Sequence, residues 1–374
     1  NRTHDYIYFL AMTAYWLYFF IPLAGVISPL VLVGRARLIG WALLLLVSVI
    51  FLGLRNEVGG DWDNYLHFSE RTAAENFSFV FQSRDSGYVF LNWISAKWGW
   101  GIFGTNLACA GLFLGGLAFF CNRQPHPILA WLVATPYLIV VVGMGYTRQS
   151  VAIGLAMAAI NFLEQKRGWR FLGLILVAAT FHKSALLLLP LVLFLVTKDV
   201  VDRSLSVFRR GLVSRSVLGG SFVGITLVVG LAARHFDLFV SEFQSYILSG
   251  NWNSEGGVIR AAMNVIPALF LIINWRRWSV AFGSGNLWLG LSLLALVVFF
   301  SAPFISTFAD RIGLYLICLQ IYVVSRVPVL IEDNIFRGLV TAGVSCLYAV
   351  VLFVWLNYAS HAYYWIPYQS LILP

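Results

Sequence analysis

Five cations stand where apolar runs begin or end. Arg148, Arg260 and Arg311 open the runs in "YTRQSVA", "GGVIRAAMNV" and "FADRIGLYL", Lys183 opens one in "ATFHKSALLLLP", and Arg55 closes one in "LFLGLRNEVGGDWDNY". A charge at bilayer depth costs roughly 2.5–3.5 kcal/mol on insertion scales, so each needs a partner. Four of the five sit at helix starts, where free N–H groups and the macrodipole already favour an anion. A diphosphate would satisfy the group together, and Arg binds phosphate bidentately. A single arginine at a span's end can equally snorkel to the headgroups, and Asp310 beside Arg311 can form a simple ion pair. His182, next to Lys183, has the side chain suited to a general base, with an ordinary pKa of about 6.5. Asp61 in "VGGDWDNY" is the competing base. Its Asp61-Trp62-Asp63 pattern is a weak metal signal, and a diphosphate neutralised by arginine requires no metal or other cofactor. Trp62 and Tyr65 offer aromatic faces on which a sugar ring could stack, or interfacial anchors.

These residues must be held by membrane helices. The chain has 374 residues, 60% hydrophobic and 11% charged, with a mean hydropathy of +0.82. A soluble domain carries about 25% charged residues. The composition predicts an all-α polytopic membrane protein forming a single domain over 1–374. A span needs about 20 mostly apolar residues. About ten are expected, near 6–33, 38–54, 101–121, 127–143, 147–163, 217–233, 258–274, 287–302, 310–325 and 338–356. The first is expected to be a span and not a cleaved signal, since others follow at once. Segment 170–197 breaks at His182-Lys183 into halves of about 13 residues, too short to cross a core of about 30 Å. It reads as a re-entrant pair of half-helices. The outer loop over 55–100 is expected to carry an interfacial helix at 88–100, and the loop over 234–257 an amphipathic helix at 236–247. The four cysteines lie inside apolar runs at no metal-ligand spacing.

Placing Gly34–Arg37 in the cytoplasm puts 15 of the 25 lysines and arginines, and five of the 16 acids, on that side. This is the asymmetry of the positive-inside rule. It leaves both termini and the five cations outside. The net charge of +9 then reflects topology, and no nucleic-acid partner is expected.

The stretches "VGGDWDNY", "DSGYVFLN", "GYTRQSVAIGLA", "ATFHKSALLLLP" and "FADRIGLYL" occur in the order seen in the EpsG-like family, whose members resemble Wzy-type O-antigen and exopolysaccharide polymerases. Asp85 stands where that family usually has glutamate. The resemblance runs from about Arg55 to Tyr315. It implies a GT-C-like membrane glycosyltransferase on the outer face of a bacterial cytoplasmic membrane. Donor and acceptor would be oligosaccharides linked to polyprenyl diphosphate, with membrane lipid, a chain-length regulator and a flippase as neighbours. The implied functional residues are Arg55, Asp61, Tyr65, Arg148, Gln149, His182, Arg260 and Arg311. Arg148, Arg311, Arg260, Lys183 and Arg55 would hold the diphosphate, His182 or Asp61 would take the proton, and Gln149, Tyr65, Trp62 and Tyr315 would contact substrate. An O-antigen ligase-like transferase, a flippase of lipid-linked sugars and a non-catalytic subunit are the competing readings.

Overall fold

The computed structural model describes residues 2–28, 33–192, 257–283 and 286–372. Among these every extended element is helical, and the one β-bridge pairs Arg55 with Ser370. In chain order the helices are α1 (Arg2–Ile27), α2 (Gly34–Gly53), α3 (Trp62–Ala74), α4 (Ser78–Gln82), α5 (Ser86–Lys97) and α6 (Gly101–Cys121). Next come α7 (Pro127–Gly145), α8 (Thr147–Glu164) and α9 (Gly168–Phe181). The later ones are α10 (Gly257–Ile273), α11 (Trp275–Phe282), α12 (Asn286–Ser301), α13 (Ser306–Tyr315), α14 (Ile317–Val324) and α15 (Asn334–Tyr358).

Among the described residues, five helical stretches are long and apolar enough to cross a membrane: α2, α6, α7, Ala309–Leu330 and α15. A sixth is reached if α10 and α11, bent by 81° at Asn274, form one span. The ten expected are therefore not all present among the described residues. Predicted span 217–233, the amphipathic helix at 236–247 and the end of segment 170–197 lie outside them. Helix α8 is formed over the predicted span but carries Arg148, Gln149, Asn161 and Glu164. Most of its residues are buried by protein, and a helix enclosed by others need not dissolve in lipid. The break at His182 is present: α9 stops at Phe181 and a 3-10 helix runs from Lys183 to Val192. The second half is thus a tighter helix than the α form expected.

The chain divides into two compact units. The first comprises Asn1–Phe162, Trp169–Leu186 and Gln320–Pro374; the second comprises Leu163–Gly168 and Leu187–Leu319. In the first, α6 packs on α2 and α5, α1 packs on α7, and α3 packs on α5. Where α6 meets α8, a Cβ on Gly116 would lie 2.2 Å from the Gly154 carbonyl oxygen, and one on Gly154 would lie 2.4 Å from the Phe113 oxygen. Only glycine allows two helices to touch backbone to backbone here. Towards the start of α8, Val151 joins Ile102 and Cys109 of α6 in one apolar cluster. Helix α5, expected at the interface, buries Tyr88, Val89, Asn92 and Ser95 against its neighbours, while Trp98 and Trp100 beyond its end stay exposed. In the second unit α10 packs on α12 and α13.

Candidate functional site

The loop between α2 and α3 is fastened from three directions. Arg55 is fully buried and donates to the carbonyls of Leu52 (2.5 Å) and Val58 (3.2 Å) and to Thr147 Oγ1 (2.8 Å). Gly59 has φ of 111°, and a Cβ there would lie 2.5 Å from the Met144 oxygen. This left-handed turn brings the loop onto the residues just before α8 and starts α3 directly after Asp61. Helix α3 buries Trp62, Tyr65, Ser69 and Thr72, the stripe expected of an amphipathic helix.

The third fastening is the C-terminal tail, which sequence reasoning did not connect with the site. Gly59 N donates to Tyr364 O (2.8 Å), Asn56 N to Gln369 O (2.9 Å) and Leu371 N to Leu54 O (2.8 Å). Trp365 donates through Nε1 to Val140 O (3.1 Å), inside the π-helical stretch Thr135–Val142 of α7. Its ring lies against Gly145, and its own carbonyl accepts from the Tyr15 hydroxyl (2.6 Å). One segment thereby contacts both stretches that lead to Asp61 and to Arg148.

Arg148 is the second residue of α8. Its Nη1 donates to Asp85 Oδ2 at 2.7 Å, and its guanidinium lies 5.7 Å from the Tyr65 ring and 5.8 Å from the Tyr88 ring. Asp85 occupies the N-cap position of α5, where an aspartate ordinarily accepts from the first free N–H groups. Here its side chain makes no cap and turns to Arg148 instead. Burial pushes the Asp85 carboxyl above the usual carboxylate range; Arg148, Lys183 and Arg84 pull it back only in part. Burial also raises the Tyr65 and Tyr88 hydroxyls, against the opposing field of Arg148.

Asp61, Asn64, Tyr65, Phe68, Tyr88 and Arg148 line a cleft of about 260 Å³. Tyr65 and Tyr88 meet edge to face at 5.7 Å, and Phe68 stacks on Tyr88 at the same spacing. Tyr88 is 1% exposed, and its hydroxyl has no hydrogen-bond partner among the described residues. A guanidinium, a carboxylate, an amide and aromatic faces around one small volume suit a sugar joined to an anionic group.

Of the residues expected from sequence, the first unit brings Asp61, Tyr65 and Arg148 onto this cleft. His182 and Lys183 are not among its lining residues; they follow Phe181 at the end of α9. Phe181 belongs to the same apolar cluster as Trp62, Tyr65 and Tyr88, and Gly87 lies against Thr180 and Phe181. His182 Nδ1 is 2.5 Å from Ser184 Oγ. Trp62 faces inward, with its ring 6.1 Å from Phe103, and Gln149 is buried. Arg55, expected on a diphosphate, has its nitrogens engaged by Leu52 at the end of α2, Val58 in the loop and Thr147 at the start of α8. Arg260, Arg311 and Tyr315 fall in the second unit. There Arg260 Nε donates to Asp310 Oδ1, so Asp310 pairs across helices and not simply with its neighbour Arg311. Asn264 donates to Gly313 O at 2.9 Å beside the pair, and Tyr315 is buried. Asn64, Phe68 and Tyr88 are the site residues not singled out from sequence, and Asp85 was met there only as the residue that stands where the family usually has glutamate. The only local signals were the i, i+3 spacings of Tyr65 with Phe68 and of Asp85 with Tyr88.

Among the described residues no three His, Cys, Asp or Glu side chains are grouped to hold a metal ion. The EpsG family matches residues 38–370, nearly the whole chain. No curated protein matches the chain, and no solved structure does.

Proposed function

Because this chain belongs to the EpsG family, we propose that it is a membrane polysaccharide polymerase that joins oligosaccharide repeat units carried on polyprenyl diphosphate. Family membership supports the polymerase class. The observation that carries the chemistry is the cleft on which Arg148 is held between Asp85, Tyr65 and Tyr88. In this reading the cleft opens to the outer face of a bacterial cytoplasmic membrane, with both termini on that side.

A hydroxyl oxygen of the acceptor attacks the anomeric carbon of the donor. The new glycosidic bond forms as the bond from that carbon to the diphosphate oxygen breaks, and the electron pair leaves with the polyprenyl diphosphate. Negative charge grows on the leaving group, so a cation fixed beforehand acts most strongly in the transition state. Arg148 fits this role: one nitrogen is held by Asp85 and its side chain is still 41% exposed. Lys183, in the same unit, is the supporting cation. His182 takes the hydroxyl proton, and Asp61, on the cleft itself, is the competing base.

The test uses a strain that makes one defined glycan. Arg148→Ala and His182→Ala should give single capped repeats in place of a ladder, at normal protein level. A full ladder from both variants overturns the site assignment. Release of free polyprenyl diphosphate by the purified protein separates a polymerase from a flippase. Polymerisation without a lipid A-core acceptor separates it from a ligase.

A further inference from the structure

Arg37 and Arg326 donate to the five-residue loop Asn122–His126, which itself carries Arg123, and Arg337 acts on its His126, at the end of the first unit away from the cleft. Helix α2 begins with Arg35 and Arg37 and ends two residues before Arg55. Helix α6 runs from the aromatic cluster of the cleft to Cys121, and α7 runs from Pro127 back toward Arg148. Helices of 19 to 21 residues separate the two ends by about 30 Å at 1.5 Å per residue. At the loop, Arg37 Nη2 donates to Asn122 Oδ1 (2.5 Å), and Arg326 Nη1 donates to Gln124 Oε1. The Arg123 guanidinium lies 5.0 Å over the Phe119 ring. Arg337 donates to Ile331 O (2.8 and 3.0 Å), and its charge, after burial, pushes the His126 imidazole down. Arginines that merely snorkel spread outward, whereas Arg326 is buried and turned onto the loop.

We propose that this loop and Arg37, Arg123, Arg326 and Arg337 bind the phosphate headgroup of an anionic phospholipid. The apolar surroundings favour a lipid over a free anion. Leu38 and Ile39 follow Arg37, and Ile335, Phe336 and Leu339 flank Arg337, all exposed on α2 and α15. Those two helices are only 22% buried along their membrane-length stretches, leaving room for acyl chains beside the arginines. The site stands apart from the catalytic reading and does not depend on it.

The full chain is reconstituted in nanodiscs of phosphatidylcholine, with and without a minor fraction of phosphatidylglycerol. Retained lipid is counted by native mass spectrometry, and the unfolding midpoint is read by intrinsic fluorescence. Phosphatidylglycerol should be retained and should raise the midpoint. Arg37→Gln and Arg123→Gln, both at exposed positions, should each weaken retention about five-fold, from the usual worth of one basic residue at an anionic surface. Arg276→Gln, in the second unit, should leave retention unchanged. Undiminished retention in the first two variants, or an equal loss in the third, overturns the proposal. So does an equal rise in midpoint produced by inorganic phosphate alone.

Discussion

Each unit contains a guanidinium held by a carboxylate from another helix or helix cap, and the two pairs differ in what surrounds them. In the first unit Arg148 and Asp85 are 41% and 16% exposed at their side chains, and Arg148 borders a cleft with aromatic walls. In the second, Arg260 and Asp310 are 18% and 12% exposed, between α10 and α13, with the Asn264–Gly313 hydrogen bond beside them. The same ion pair can present an arginine or enclose it. An enclosed pair holds helices in register, and removing one partner strands the other charge. A presented arginine keeps donors for a ligand while its partner prevents it from wandering.

The sharpest way to break this contrast is to mutate both arginines and measure turnover and stability separately. Arg148→Ala should lower turnover by about 10²–10³-fold, the usual loss of one prearranged donor to developing charge, with a small change in the unfolding midpoint. Arg260→Met should instead act mainly on stability, lowering it by about 3 kcal/mol by breaking a buried ion pair, measured by thermal unfolding in detergent. Equal effects of both variants on both readouts would erase the distinction.

Next in size is the tail. Trp365→Phe keeps most of the ring packing on Gly145 and removes the bond to Val140 O, so a loss of about 1 kcal/mol is expected. If the tail positions Arg148, turnover should fall in Trp365→Phe without a change in KM for the lipid-linked substrate, measured by steady-state kinetics. A purely structural tryptophan would lower the amount of folded protein and leave the turnover of the folded fraction intact.

The smallest effect concerns Asp85. Its carboxyl titrates above the usual range in the fold because of burial, so the fold favours the protonated form. Relative to Asp85→Asn, the native chain should be most stable at low pH and lose that margin as pH rises through the raised midpoint. Unfolding midpoints of both proteins across acid to neutral pH check the sign. Activity should move oppositely, because Asp85 secures Arg148 as an ion pair only when ionised.

What could be foreseen from sequence follows the reach of local patterns. Helix periodicity and charge placement located Arg148 at the head of α8 and the break at His182, since each depends on neighbours within a turn or two. The partner of Arg148 lies 63 residues away, and the acceptor for Trp365 Nε1 lies 225 residues away. Nothing local announces such pairings. Asp85 stood out in the sequence only through the family resemblance, and "YYWIPYQS" lies beyond Tyr315, where that resemblance ends. Hydropathy likewise took α8 for a lipid-facing span, because an enclosing shell of other helices is a property of the whole assembly.

The bridge between Arg55 and Ser370 sets an order on biosynthesis. The turn that leads to Asp61 relies on hydrogen bonds with Tyr364, Gln369 and Leu371, so it stays unfinished until those residues have been translated. A polypeptide cut short before them would lack the strap that fastens this turn.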